Sequence, residues 1–230
     1  MTLLAQKIQG IVFDLDGTLV DSIPDIAHAA NLTLQTLGLA EADFQALKTW
    51  VGNGSRTLMK RALTKDFNGE PDGELLERAL PIFFDHYADH VFVHSELYQG
   101  VQSTLESLDG QGFKLACVTN KPLRHTQALL AQSGLARWFG SVVAGDSTPH
   151  VKPHPEPLFE GCRALGLDPE HCLMVGDSMN DIKAAQAAAM PVVALSYGYN
   201  QGVDLNSGHP DALIDNFSEL LNLVCKSTKS

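Results

Sequence analysis

Carboxylates recur in this 230-residue chain where apolar runs end. The stretch GIVFDLDGTLVDS, residues 10 to 22, places Asp14 and Asp16 one residue apart behind a β-forming run, with Gly17 and Thr18 directly after. In extended backbone such a pair projects to one side. Two like charges at the rim of a core repel unless a cation lies between them or one holds a proton. Three further run ends add to the pattern. Thr119-Asn120 closes the run 113–119, Asp146 and then Lys152 follow 141–144, and Gly176-Asp177-Ser178 with Asp181 follows 172–175. Carboxylates, a hydroxyl and a lysine converging on one edge have the composition of a metal-assisted phosphate site. A hard cation with oxygen ligands relieves the repulsion, and Asp177 would complete its ligands. With so few protein carboxylates and a phosphate to share, Mg²⁺ fits better than Ca²⁺. A calcium loop does not fit the spacing. Its glycine would come at the sixth position rather than the fourth, and a helix rather than a strand would precede it.

These residues need elements to hold them. Short apolar runs at 8–13, 113–119, 141–144, 172–175 and 192–195 read as strands covered on both faces. The helical patterns QSTLESLDGQG, LRHTQALLAQSG, PEPLFEGCRALG and DIKAAQAAA separate most of them, with Gly112, Gly134 and Gly166 as helix stops. Alternation of this kind predicts an α/β fold: a doubly wound, mostly parallel sheet with a Rossmann-like core. In an open sheet, ligands collect at the carboxyl ends of the strands, where the carboxylates stand. Between residues 21 and 95 the pattern changes. IPDIAHAANLTLQTLG, SRTLMKRALTKDF and GELLERALPIFFDHYADHV read as amphipathic helices, with Gly38 and Gly69 as breaks. The expected organisation is therefore a core of residues 1–20 and 96–230 with a small all-helical cap domain, 21–95, inserted after the first strand.

The segments FDLDGTLVDS, VTNK, KPHPEP and VGDSMND, in this order, resemble the haloacid dehalogenase-like phosphohydrolases. That resemblance covers essentially the whole chain. It implies that Asp14 is the nucleophile that becomes an aspartyl phosphate and Asp16 the general acid and base. Thr119, Asn120 and Lys152 would hold and neutralise the phosphoryl group. Asp14, Asp177 and the Asp16 backbone carbonyl would bind Mg²⁺, with Asp181 an outer ligand or orienting group. Phosphoryl transfer needs in-line positioning and positive charge at the equatorial oxygens, which Lys152 and the cation would supply. The cap segment TWVGNGSRTLMKRAL, together with YGYNQG and HPDALIDNFSELL, resembles the phosphoglycolate phosphatase branch of the family. The implied substrate is 2-phosphoglycolate, and Gly54, Ser55 and Arg56 are candidates to meet its carboxylate. Two departures from the family pattern, Gln99 before Gly100 and Ala189 before Met190, fall outside the chemistry. Ser55-Arg56 also resembles the cap of sugar-phosphate mutases, which makes a phosphomutase the alternative enzyme. A phosphate-binding regulator is the non-enzymatic alternative.

Composition narrows the partners. Sixteen Lys and Arg against 27 Asp and Glu, a net charge of −11, argue against nucleic acid. The amino-terminal stretch MTLLAQKIQGIVF does not read as a signal peptide, and no apolar run approaches a membrane span. Cys117, Cys162, Cys172 and Cys225 stand singly without metal or redox spacing, as expected of reduced thiols in a cytoplasmic protein. The expected partner is a small phosphorylated metabolite, handled by a monomer or homodimer without membrane contact. His125, His150 and His154 lack ligand spacing and read as surface residues, and Trp50 and Trp138 as packing residues.

Overall fold

The structure, a computed structural model, describes residues 7–224. Cys225 and the first six residues lie outside the described residues. Six parallel strands form the main sheet: β1 (Gly10–Phe13), β4 (Lys114–Val118), β5 (Ser141–Val143), β6 (Cys172–Gly176), β7 (Val192–Leu195) and β8 (Ala212–Ile214). Their order is β5-β4-β1-β6-β7-β8, so the chain reverses direction across the sheet at β1. Two short strands, β2 (Val20–Asp21) and β3 (Glu96–Leu97), pair antiparallel at the neck of the helical block. That block holds α1 (Ile23–Thr36), α2 (Phe44–Trp50), α3 (Ser55–Thr64) and α4 (Gly73–Asp89). The sheet is flanked by α5 (Val101–Gly110), α6 (Leu123–Gln132), α7 (Glu156–Leu165), α8 (Met179–Ala187) and α9 (Leu220–Val224).

Alternation along the strands sorts the core into two layers. Ile11 and Phe13, Leu115 and Cys117, and Leu173 and Val175 join one cluster with Leu105 and Leu129 of α5 and α6. Val12, Ala116, Val118 and Met174 turn the other way, onto Leu158 and Cys162 of α7 and Ile182 and Ala185 of α8. A near-continuous apolar strand is therefore apolar for two different neighbours. The helical block is not a separate core: Leu34, Leu47, Met59 and Phe83 belong to the same cluster as Phe13.

Three elements escape the sequence pattern. Helix α2 is a single pair of turns capped by Asp43, whose side chain accepts from the Gln45 and Ala46 amides. Strand β8 is a three-residue edge strand, half-exposed over much of its length. The β2–β3 ribbon is two residues deep. Each is shorter than the window that periodicity needs. Gly112, Gly134 and Gly166 do take the left-handed conformation expected at helix ends.

Register sets the site. Phe13 lies opposite both Cys117 and Val175, so β1, β4 and β6 end at one level. Asp14 continues the ladder by one bond, its amide donating to the Val175 carbonyl at 3.0 Å. The residues that follow these strands (Asp14, Thr119, Asp177) therefore meet at the switch point of the sheet.

Candidate active site

Lys152 is the electrostatic centre. Its side chain is 1% exposed, and its Nζ donates to Asp181 Oδ1 at 2.7 Å and to the Val118 carbonyl at 2.7 Å. Asp14 Oδ1 lies 3.0 Å away. Three donors meet three acceptors, which leaves the ammonium fully satisfied. Burial opposes its charge, but Asp14 and Asp181 more than offset this and hold its pKa above the ordinary value. Asn120 positions the lysine backbone: its Nδ2 donates to the Lys152 carbonyl and its Oδ1 accepts the Lys152 amide, both at 2.9 Å.

One cation faces three acids. Asp14, Asp177 and Asp181 each offer an oxygen, and these oxygens lie within 4.8 Å of one another. Burial pushes Asp14 up to about 7, opposed by Lys152 and reinforced by Asp181. Asp177 is raised well above the carboxylate range, first by burial and then by Asp14 and Asp181. A buried set of three carboxyls around one ammonium carries excess negative charge, and its oxygens suit a divalent cation. Asp14 and Asp177 fit as ligands. Asp177 keeps lone pairs free although Thr18 Oγ1 donates to Oδ1 at 2.5 Å and the Tyr199 amide to Oδ2 at 2.6 Å. Asp181 is more committed: Oδ1 takes Lys152, and Oδ2 accepts the Ser178 amide at 3.1 Å and its hydroxyl at 2.6 Å. This is the capping box of α8 turned to a second use.

Asp16 stands apart from that cluster. Ser22 Oγ donates to its Oδ1 at 2.6 Å, and Lys121 Nζ reaches both carboxylate oxygens at 3.0 and 3.1 Å. Gly17, at φ +87°, turns the chain between the two aspartates and Thr18, and a Cβ there would collide with the Asp177 carboxylate. Thr119 is buried and its hydroxyl accepts the Lys121 amide at 3.2 Å. Asp146 takes no part: it is exposed and caps α6, accepting the Leu123 amide at 2.8 Å.

A cleft opens over Asp14 and Asp16. Thr119, Asn120, Lys121 and His125 line it from the sheet side, and Val51, Gly52, Gly54, Ser55, Phe83 and Tyr87 from the helical block. Asn120 and Asn180 donate to the Gly52 carbonyl at 3.4 and 3.2 Å, and Gln201 donates to the Val51 carbonyl at 2.7 Å. Amide side chains of the sheet domain thus latch the 51–54 turn over the acids. Arg56 is elsewhere. Its guanidinium is 56% exposed, pairs with Glu77, and is not among the cleft-lining residues.

His125 is buried, not a surface residue: it stacks on Phe84 at 5.2 Å, meets Tyr87 edge-on at 5.3 Å, and burial pushes its pKa down to about 4. Lys121 is a cleft-lining side chain to which the sequence pattern assigns no role. It is buried, and its ammonium sits 4.4 Å from the centre of the Tyr87 ring. Its only signal was the place directly behind Thr119-Asn120 at a strand end. The remaining expectations are simply placed: His150 and His154 are exposed beside Glu156, and Trp50 and Trp138 are buried.

A parallel sheet whose strand ends bring together an acid pair, a hydroxyl and a buried lysine–carboxylate cluster defines a hydrolase of the haloacid dehalogenase type. The family model for haloacid dehalogenase-like hydrolases matches residues 8–189, and the chain belongs to that family. Among its relatives is a phosphoglycolate phosphatase of Nitrosococcus oceani, 43% identical over 217 residues, 94% of this chain and 96% of that one. Another, from Colwellia psychrerythraea, is 44% identical over 218 residues with the same coverage. The crystal structure of a predicted phosphoglycolate phosphatase from Haemophilus somnus superposes with a TM-score of 0.89 at 39% identity, covering 94% of this chain and 98% of the other.

Proposed function

We infer that the protein is a Mg²⁺-dependent phosphomonoesterase that hydrolyses 2-phosphoglycolate to glycolate and phosphate. The observation that carries the reading is Lys152, held 3.0 Å from Asp14 in a buried cluster with spare negative charge. Relatives at 43 and 44% identity bearing the phosphoglycolate phosphatase name support the substrate.

In the reaction, an Asp14 carboxylate oxygen attacks phosphorus, and the bond from phosphorus to the glycolate oxygen breaks. Asp16 gives the departing oxygen its proton. Water then attacks the aspartyl phosphate, Asp16 takes the water's proton, and phosphate leaves with Asp14 regenerated. Lys152, held against Asp14 by Asp181, supplies positive charge that offsets the transferring phosphoryl group, and Thr119 orients its oxygens. Asp14, Asp177 and the Asp16 backbone carbonyl would hold Mg²⁺, which would supply further positive charge to the transferring group. Residues 21–95 act as a cap, excluding water when the 51–54 turn is latched. Arg56, paired with Glu77, gives no support to a phosphomutase. The three described cysteines are free and buried, in keeping with a cytoplasmic enzyme.

The test is a phosphate-release screen over small phosphomonoesters with Mg²⁺. Phosphoglycolate should rank among the best few by kcat/KM, chelation should abolish turnover, and Asp14→Asn should be inactive. Turnover of other esters with phosphoglycolate near the bottom would overturn the substrate and keep the phosphatase.

A further inference from the structure

The mechanism accounts for the phosphoryl end of the substrate and leaves the other end without a partner. A leaving group with a carboxylate one methylene from the ester oxygen brings a second negative charge into a cleft already lined by Asp14 and Asp16. Some cation must receive it. Arg56 is turned away to Glu77, and Lys152 spends its donors on Asp14, Asp181 and Val118 beneath the cleft floor. Among the described residues that line the cleft, Lys121 is the one Lys or Arg.

Its surroundings are unusual for a structural lysine. The ammonium lies on the Tyr87 ring at 4.4 Å and reaches the two Asp16 oxygens, so it is held at the boundary between acid and cap rather than in solvent. The Tyr87 hydroxyl beside it is buried and, Lys121 aside, meets no hydrogen-bond partner among the described residues, so its own proton has no acceptor. Of the charges that act on it, that of Lys121 is the largest. A buried phenol without an acceptor is uncommon, and one on a cleft wall is accounted for by a ligand that accepts from it. Both groups are donors, and they come from opposite sides of the cleft.

We propose that Lys121 and the Tyr87 hydroxyl form a carboxylate subsite that selects phosphomonoesters with an acidic leaving group. This deepens the phosphatase reading and rests on it. The carboxylate takes the Lys121 ammonium in a charge-assisted hydrogen bond and the Tyr87 hydroxyl in a second bond. The subsite thus spans sheet domain and cap, so occupation of the cleft by the right substrate ties the two together.

The experiment compares 2-phosphoglycolate with 2-hydroxyethyl phosphate, which replaces the carboxylate by a neutral alcohol, in the intact enzyme with Mg²⁺. The quantity read is the ratio of kcat/KM values. In Lys121→Gln the preference for phosphoglycolate should fall about ten- to hundredfold, mainly through KM, as expected for a lost charged hydrogen bond. Lys121→Arg should keep most of it. Tyr87→Phe, which keeps the ring packing, should lower the ratio several-fold and carries the test if Lys121→Gln does not fold. A lysine that only steadied Asp16 would slow both substrates equally, so an unchanged ratio in Lys121→Gln or Tyr87→Phe overturns the subsite and leaves the phosphatase standing. Failure of the wild type to hydrolyse either ester would overturn the phosphatase reading and the subsite with it.

Discussion

Asp181→Asn separates two uses of one carboxylate. Asn is isosteric, and its Oδ1 can still accept the Ser178 amide and hydroxyl, so the cap of α8 survives. Its amide NH₂ must then face Lys152, where Oδ1 now accepts at 2.7 Å in a side chain 1% exposed on both partners. One charge-assisted hydrogen bond is lost, worth about 1.5–3 kcal/mol, and a buried amide is left pointing donors at an ammonium. Asp14 and Val118 retain the lysine, so the cost stays below the 3–5 kcal/mol of a wholly orphaned buried charge. We expect about 3 kcal/mol, or a melting point lower by roughly 6–12 °C for a domain of this size. The assay is thermal melting by circular dichroism, joined to initial rates titrated with Mg²⁺. A residue that aims Lys152 should lower kcat at saturating Mg²⁺ by about ten- to hundredfold and leave the Mg²⁺ concentration for half-maximal rate nearly unchanged. A stability loss below about 1 kcal/mol would refute the buried-pair argument. Full recovery of kcat at high Mg²⁺ would instead make Asp181 a metal ligand first.

The other predictions follow from single sites. His125 binds its proton in the folded state only near pH 4, pulled below the ordinary value by burial first and then by Lys121. Since the unfolded chain takes that proton near pH 6.5, stability should be full above about 6.5 and fall as pH drops toward 4. His125→Gln should flatten that part of a urea-midpoint profile, and an unaltered slope would exclude His125 as its source. Gly17→Ala should remove nearly all turnover with a larger loss than a surface Gly→Ala change. The added Cβ strains a φ of +87° and displaces Asp177, so near-normal kcat/KM would contradict the clash. Asp25, fully buried in α1, accepts the Val93, His94 and Ser95 amides at 2.8 to 3.0 Å and the Ser95 hydroxyl. Asp25→Ala orphans these donors at the return from α4 to β3 and should cost about 3–4 kcal/mol in chemical denaturation, whereas a cost under about 1 kcal/mol would show that water replaces it.

What was legible in the sequence was what depends on near neighbours. A strand covered on both faces must be almost wholly apolar, so five of the six sheet strands announced themselves, and an acid directly behind such a strand can only emerge at the sheet edge. The local pattern therefore put Asp14, Thr119 and Asp177 at the sheet edge, because register carries each to the same level once the strands pair. Elements of a few residues, such as α2 and β8, exist only because tertiary contacts complete them, and no period can mark them.

Long side chains followed a different rule. Arg56 and Lys121 are both basic residues near a motif, yet one pairs with Glu77 in solvent while the other is buried between Asp16 and Tyr87. Asp16 and Lys121 stand 105 positions apart. His125 became a buried cleft residue because Phe84 and Tyr87 of α4 lie across it. The sequence by itself determined which strand ends would carry acids. Only the folded chain decided which cations meet those acids, since the partner of a flexible charge is set by whatever distant element removes water from around it.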